Sequence, residues 1–145
     1  MPTNRRGFTL LELMIVVTII SILAGVAMTR FGGVLDRSRE GATRGAAGSV
    51  RSAIGIYYGD NSAFPTDDLS CLTEAKRYID NLPVVKLPGT VHPENRHVSV
   101  GASTAAAITD TGGWAYVNDP DSPSYGTLLI NCTHEDSKGK RWDEQ

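Results

Sequence analysis

The sequence predicts an α+β protein, with a long N-terminal α-helix whose first half spans a membrane, packed on a small antiparallel β-sheet head. Three observations carry this reading. Gly7 to Thr29 is an apolar run of 23 residues with one charge, Glu12. Arg30 to Asp60 contains no proline and repeats apolar residues at helical spacing. Beyond Pro88, short apolar runs alternate with clusters of Gly, Asp, Pro and Ser.

As a helix, the first run is about 35 Å long, enough for a hydrocarbon layer of about 30 Å. Ala47, Val50, Ile54 and Tyr57 or Tyr58 then mark an apolar stripe, with Arg44 and Arg51 on a polar face. One helix from Phe8 to Tyr58 would measure about 75 Å. Tyr57 to Thr66 is rich in turn formers and ends it. Next, Thr66 is expected to cap a short helix opening with Asp67 and Asp68, placing Leu69, Leu72, Ile79 and Leu82 on one face until Pro83 stops it. Strands are expected at His97 to Val100, Ala105 to Thr109, Trp114 to Asn118 and Thr127 to Cys132. Thr133 to Gln145 reads as an exposed polar tail, with Trp142 available to hold part of it.

The totals narrow the function classes. At 145 residues and a formal charge of −2, the chain suits one modest head plus an appendage. Without Arg5 and Arg6 it carries 12 bases against 16 acids, and no basic stripe suggests nucleic acid. No GxSxG, P-loop or dinucleotide fingerprint is present and no nucleophile has a recognisable base, so an enzyme is not indicated. No cofactor is expected. The even cysteine count, Cys71 and Cys132, predicts an oxidising compartment and one disulfide, closing a loop of roughly 60 residues and worth about 4 kcal/mol. His92, His97 and His134 lack the spacing of a helical zinc pair and read as solvated loop residues, so no metal site is expected. Asn131-Cys132-Thr133 matches a glycosylation triplet in form only, because it falls in a strand.

A carboxylate inside an apolar run costs roughly 2.5 to 3.5 kcal/mol in a bilayer, so Glu12 needs a partner or an escape to the membrane edge. The residues around it resemble a known pattern. Asn4-Arg5-Arg6-Gly7 ends a short polar leader, and GFTLLELMIVVTIISILA follows. This is similar to the class III leader of type IV prepilins and type II secretion pseudopilins.

The resemblance implies a type IV pilin-like fold and a division into leader (1–7), membrane and assembly half of the helix (8–30), amphipathic half (31–59) and globular head (60–145). It implies cleavage between Gly7 and Phe8 by a prepilin peptidase, N-methylation of Phe8, and Glu12 as an assembly contact for the Phe8 amine of a neighbouring subunit. Gly7 lets the backbone approach a peptidase closely, and Arg5 with Arg6 suits an anionic cytoplasmic leaflet. Arg30, Arg37, Arg39 and Arg44 follow the span, so the positive-inside rule alone does not favour a cytoplasmic start; the cleavage motif sets the topology.

By the same resemblance the partners are a homo-oligomeric helical filament, the peptidase, an assembly ATPase and inner-membrane platform proteins. The chain would be single-pass in the inner membrane before assembly and in an extracellular pilus afterwards, or in the periplasm if it is a pseudopilin. The stretch Tyr57 to Thr66 resembles the end of the long helix in pseudopilins and several pilins. Asp119, Asp121 and Ser122 occupy a region where some major pseudopilins hold calcium, although no DxDG-type loop is present.

Many pilins carry proline where this chain reads Val26-Ala27-Met28-Thr29; here Gly25 and the Gly32-Gly33 pair are the expected weak points for unwinding on assembly. A reading of a different class is a membrane-tethered binding protein or enzyme with a plain signal, for which Ala24-Gly25-Val26-Ala27 offers a weak cleavage site.

Overall fold

The computed structural model describes residues 8–145 and divides after Leu35 into two compact units. One helix, α1 (Leu10–Asn61), contributes to both. It is helical throughout Gly25 to Gly33, and a Cβ added at any of its glycines would meet nothing within 4 Å. Packing inside the chain therefore does not require glycine at these positions.

In the first unit, every large apolar side chain from Leu10 to Leu35 is exposed. The hydroxyls of Thr18 and Ser21 donate to the Met14 and Val17 carbonyls, at 2.7 and 2.8 Å, so the helix satisfies these polar groups itself. By length and composition this segment is apolar enough to cross a membrane.

In the second unit, Glu40, Thr43, Ala47, Val50 and Ile54 recur every three to four residues and are buried. Ala47, Val50 and Ile54 join a core containing Leu69, Leu72, Val85, Trp114, Tyr116, Ile130 and Trp142. The two polar members of the stripe are fully used. Thr43 accepts from the Lys86 amide at 2.9 Å and donates to the Lys86 carbonyl at 2.7 Å. Glu40 accepts from the amide and hydroxyl of Ser137 at 2.8 and 2.7 Å.

The helix expected after Thr66 is much shorter. Only α2 (Ser70–Thr73) and a 3-10 turn (Glu74–Lys76) form, because Leu69, Ala75 and Lys76 take left-handed backbone angles. Asp67, rather than Thr66, organises the start: it accepts from the amides of Leu69 and Cys71 at 3.0 and 2.9 Å and from the Ser70 hydroxyl at 2.8 Å.

The sheet contains β1 (Val98–Gly101), β2 (Trp114–Val117) and β3 (Leu128–Ile130) in that order. It is mixed rather than antiparallel: β1 and β2 run parallel with Val98 opposite Trp114, and β2 and β3 run antiparallel with Trp114 opposite Ile130. The cause lies in Ala105 to Thr109, which is not a strand. Ser103 caps a short helix, α3 (Thr104–Ala107), by accepting from the Ala106 amide at 3.2 Å. This helix provides the crossover that a parallel pair requires. A Cβ at Gly101 would lie 2.5 Å from the Ala107 amide nitrogen, so glycine allows α3 to close on β1. All four β2 residues are buried: Trp114 and Tyr116 in the main core, Ala115 and Val117 in a second cluster with Ala107.

Nor is the C-terminal segment a free tail. Trp142 is fully buried, and Asp136 sits in a tight turn, its carboxylate accepting from the Lys138 and Lys140 amides at 2.8 and 2.9 Å. Arg44, expected on a polar face, pairs with Asp136 and donates to the Gln145 side chain at 2.5 Å. Arg51 donates to the Leu128 and Gln145 carbonyls at 3.0 and 2.6 Å. The two arginines clasp the chain's last turn to the helix.

Candidate functional site

At the start of α1, Phe8 is exposed; Gly7, the other half of the expected cleavage site, lies outside the described residues. Thr9 stands at the N-cap. Its amide and hydroxyl both donate to Glu12 Oε2 at 2.9 Å, while the Glu12 amide donates back to the Thr9 hydroxyl at 3.2 Å. This is a reciprocal capping box, and Thr9-Leu10-Leu11-Glu12 carries its T-x-x-E signature openly. Glu12 thus has a local structural role that the apolar context had obscured. Both Thr9 bonds fall on Oε2, and a carboxylate has further acceptor positions for an ammonium brought by a neighbour.

The two cysteines do not form the expected bridge. Both are free thiols with different surroundings. The Cys71 thiol donates to Asp67 Oδ1 at 3.3 Å, and burial, with the Asp67 bond and charge, pushes it up to about 12. Cys132 is fully buried after β3, with Sγ 3.5 Å from His134 Nδ1, and burial raises its thiol as well. Alkylation under denaturing, non-reducing conditions should therefore count two thiols per chain; a count of zero would establish a bridge.

Nor are the histidines all solvated. The His92 side chain is only 8% exposed, and its Nε2 lies 3.2 Å from His134 Nδ1. Both nitrogens face Asp110 Oδ1, at 3.3 and 3.6 Å. His97 takes no part; its carbonyl accepts from the Trp114 amide at 2.7 Å. Asp119 accepts from the Asp121 amide at 3.0 Å, an ordinary turn contact.

Asn131 organises the floor beneath this group. Its Oδ1 accepts from the Thr109 and Asp110 amides at 2.8 and 2.9 Å, and its Nδ2 faces the hydroxyls of Ser99, Thr109 and Thr111 at 2.9 to 3.0 Å. Asp110 is thereby held at a left-handed φ of 55°. Its carboxyl lies below the usual range, chiefly because the Thr133 amide donates to it at 2.8 Å. Asn131→Ala would orphan two backbone amides, at about 2 to 3 kcal/mol for the pair. The fully buried Asn131 is inaccessible to a glycosylating enzyme in the folded chain. Urea denaturation of the head should show the loss; an unchanged midpoint would contradict this assignment.

Residues 2–28 match the model of the prokaryotic N-terminal methylation motif. Over 89 residues the chain is 35% identical to fimbrial protein EcpC of Eikenella corrodens, covering 59% of this chain and 58% of the relative. It is 37% identical over 70 residues to the type IV major pilin protein PilE of Neisseria gonorrhoeae, covering 48% and 42%. With type II secretion system core protein G of Klebsiella michiganensis it shares 35% over 65 residues, covering 45% and 46%. The chain spans about half the length of these curated relatives. No solved structure matches it.

An exposed apolar helix that carries the prokaryotic N-terminal methylation motif thus leads into a small α+β head. Beyond that motif, the chain is similar to type IV pilins and to a type II secretion system core protein.

Proposed function

We propose that this protein is a structural subunit of a type IV pilus, cut between Gly7 and Phe8, methylated on Phe8 and polymerised through its N-terminal helix. The observation that carries the reading is the methylation motif on a helix whose large apolar residues from Leu10 to Leu35 are all exposed and whose one charge before Arg30, among the described residues, is Glu12. Such a surface requires lipid or other copies of itself. Moving from bilayer to filament keeps it dry, and the Phe8 ammonium of a neighbour offsets the cost of Glu12. The subunit performs no reaction itself. A prepilin peptidase processes it, and an assembly ATPase with inner-membrane platform proteins supplies the work. It resides in the inner membrane before assembly and outside the cell afterwards.

A pseudopilin of a type II secretion system, in a periplasmic filament, is the second reading, favoured by the likeness to core protein G. The likeness to EcpC extends further along the chain, 89 residues against 65. Terminal and intact-mass spectrometry of sheared surface material and of the remaining envelope distinguishes them. Chains starting at N-methyl-Phe8 should be abundant in the sheared fraction. The same species confined to the envelope would favour the pseudopilin, and a chain uncut at Gly7 would end both readings.

A further inference from the structure

Four ligand-type side chains converge in the head. His92 Nε2, Asp110 Oδ1, Cys132 Sγ and His134 Nδ1 come from three separate connections: the loop before β1, the turn between α3 and β2, and the segment after β3. One ligand atom from each lies within 4.8 Å of all the others. A tetrahedral ion with Zn–N of about 2.0 to 2.1 Å and Zn–S of about 2.3 Å needs ligand atoms roughly 3.3 to 3.6 Å apart. The observed separations are 3.2 Å between the imidazole nitrogens, 3.3 and 3.6 Å from these to Asp110, and 3.5 Å from Cys132 to His134.

Hydrogen bonds alone account poorly for this convergence. His92 Nε2 has two close neighbours and His134 Nδ1 has three, yet each nitrogen offers one proton or one lone pair. A central cation would satisfy all four atoms together. We propose that His92, Asp110, Cys132 and His134 form a tetrahedral Zn²⁺ site that fastens three loops of the head.

Two imidazoles with a thiolate suit zinc, whereas calcium and magnesium take oxygen ligands. Four protein ligands make the site closed and structural rather than catalytic. Its surroundings are built for the purpose. Asn131 and the Thr133 amide fix Asp110, and glycine at 112 admits His92, whose Cβ would be 3.1 Å from a Cβ there. Cys132 and His92 form a dry side, and the half-exposed His134 gives the ion an entrance. The buried Cys132 thiol also gains a use that the absent disulfide did not provide.

The test uses the full chain in detergent micelles, kept reduced, stripped of metal and titrated with Zn²⁺ against a chromophoric chelator. Co²⁺ serves as the spectroscopic probe. The expected result is one ion per chain, a raised melting temperature of the head, and a Co²⁺ spectrum with a thiolate charge-transfer band and visible bands of tetrahedral intensity. His134→Ala removes a half-exposed side chain, so the fold should persist. It should weaken Zn²⁺ binding by more than the roughly 10- to 100-fold typical of losing an outer-shell partner. Cys132→Ser should abolish the charge-transfer band, and Cys71→Ser should leave it intact. A stoichiometry well below one, an octahedral Co²⁺ spectrum without the sulfur band, or unchanged affinity in His134→Ala would each overturn the proposal.

Discussion

Glu12→Gln should leave the chain inserted in the membrane with its helix still capped, and should yield almost no filaments. Glutamine at this position retains the reciprocal bonds with Thr9, since a capping box accepts either residue. What it loses is the negative charge available to a neighbour's terminal amine. Breaking one partner out of a buried ion pair costs about 3 to 5 kcal/mol, so sheared filament yield should fall at least 100-fold, roughly.

Thr9→Ala makes the complementary lesion. It removes the capping hydroxyl, at about 1 kcal/mol of helix stability, but keeps the carboxylate, so filaments should persist. Quantifying sheared protein from both variants, with membrane-inserted protein as the control, separates charge from capping. Normal yield from Glu12→Gln would remove Glu12 as an assembly contact. Loss of filaments in Thr9→Ala alone would make the capping box its whole purpose.

Trp142→Ala should be the most damaging single change in the head. The indole is fully buried in the main core, and the Arg44 guanidinium carbon lies 5.2 Å from its ring centre. Truncating a buried tryptophan costs about 3 to 5 kcal/mol, enough to lower the melting temperature by at least about 10 °C in a domain of this size. Among the described residues, Trp142 Nε1 is also buried without a hydrogen-bond partner. Trp142→Phe should therefore lose less than the ring volume alone implies, because it removes an unsatisfied donor. Near-UV circular dichroism of the full chain in micelles reads both melts. A shift below about 2 °C in Trp142→Ala would mean that the C-terminal segment contributes little to the head.

The contrast between Trp142 and Glu12 shows which information is local. The helical character of Leu10–Asn61, its apolar first half, the single acid Glu12 before Arg30 and the stripe through Ala47, Val50 and Ile54 are all readable from spacing within a few residues. Even the capping box is local, with Thr9 and Glu12 three residues apart. The N-terminal methylation motif lies within residues 2–28 for the same reason.

The head depends on contacts with no such signature. Glu40 meets Ser137 97 positions later, and Asn131 ties its strand to Ser99 and Thr109. Whether β1 and β2 run parallel was settled by Ser103 capping a helix in a stretch that was also plausible as a strand, and by Gly101 letting that helix close. The polar composition of Thr133 to Gln145 suggested solvent, but Arg44, Arg51 and a buried Trp142 hold it. His92 and His134 are 42 positions apart, so their nitrogens meet only because three connections converge after folding. Sequence alone determined the apolar N-terminal helix and its methylation motif, since both rest on short-range periodicity and charge. Only the tertiary structure decided the sheet's direction, the docking of the last turn, the separate fates of the two thiols and the four-ligand cluster, because each depends on burial and geometry between distant residues.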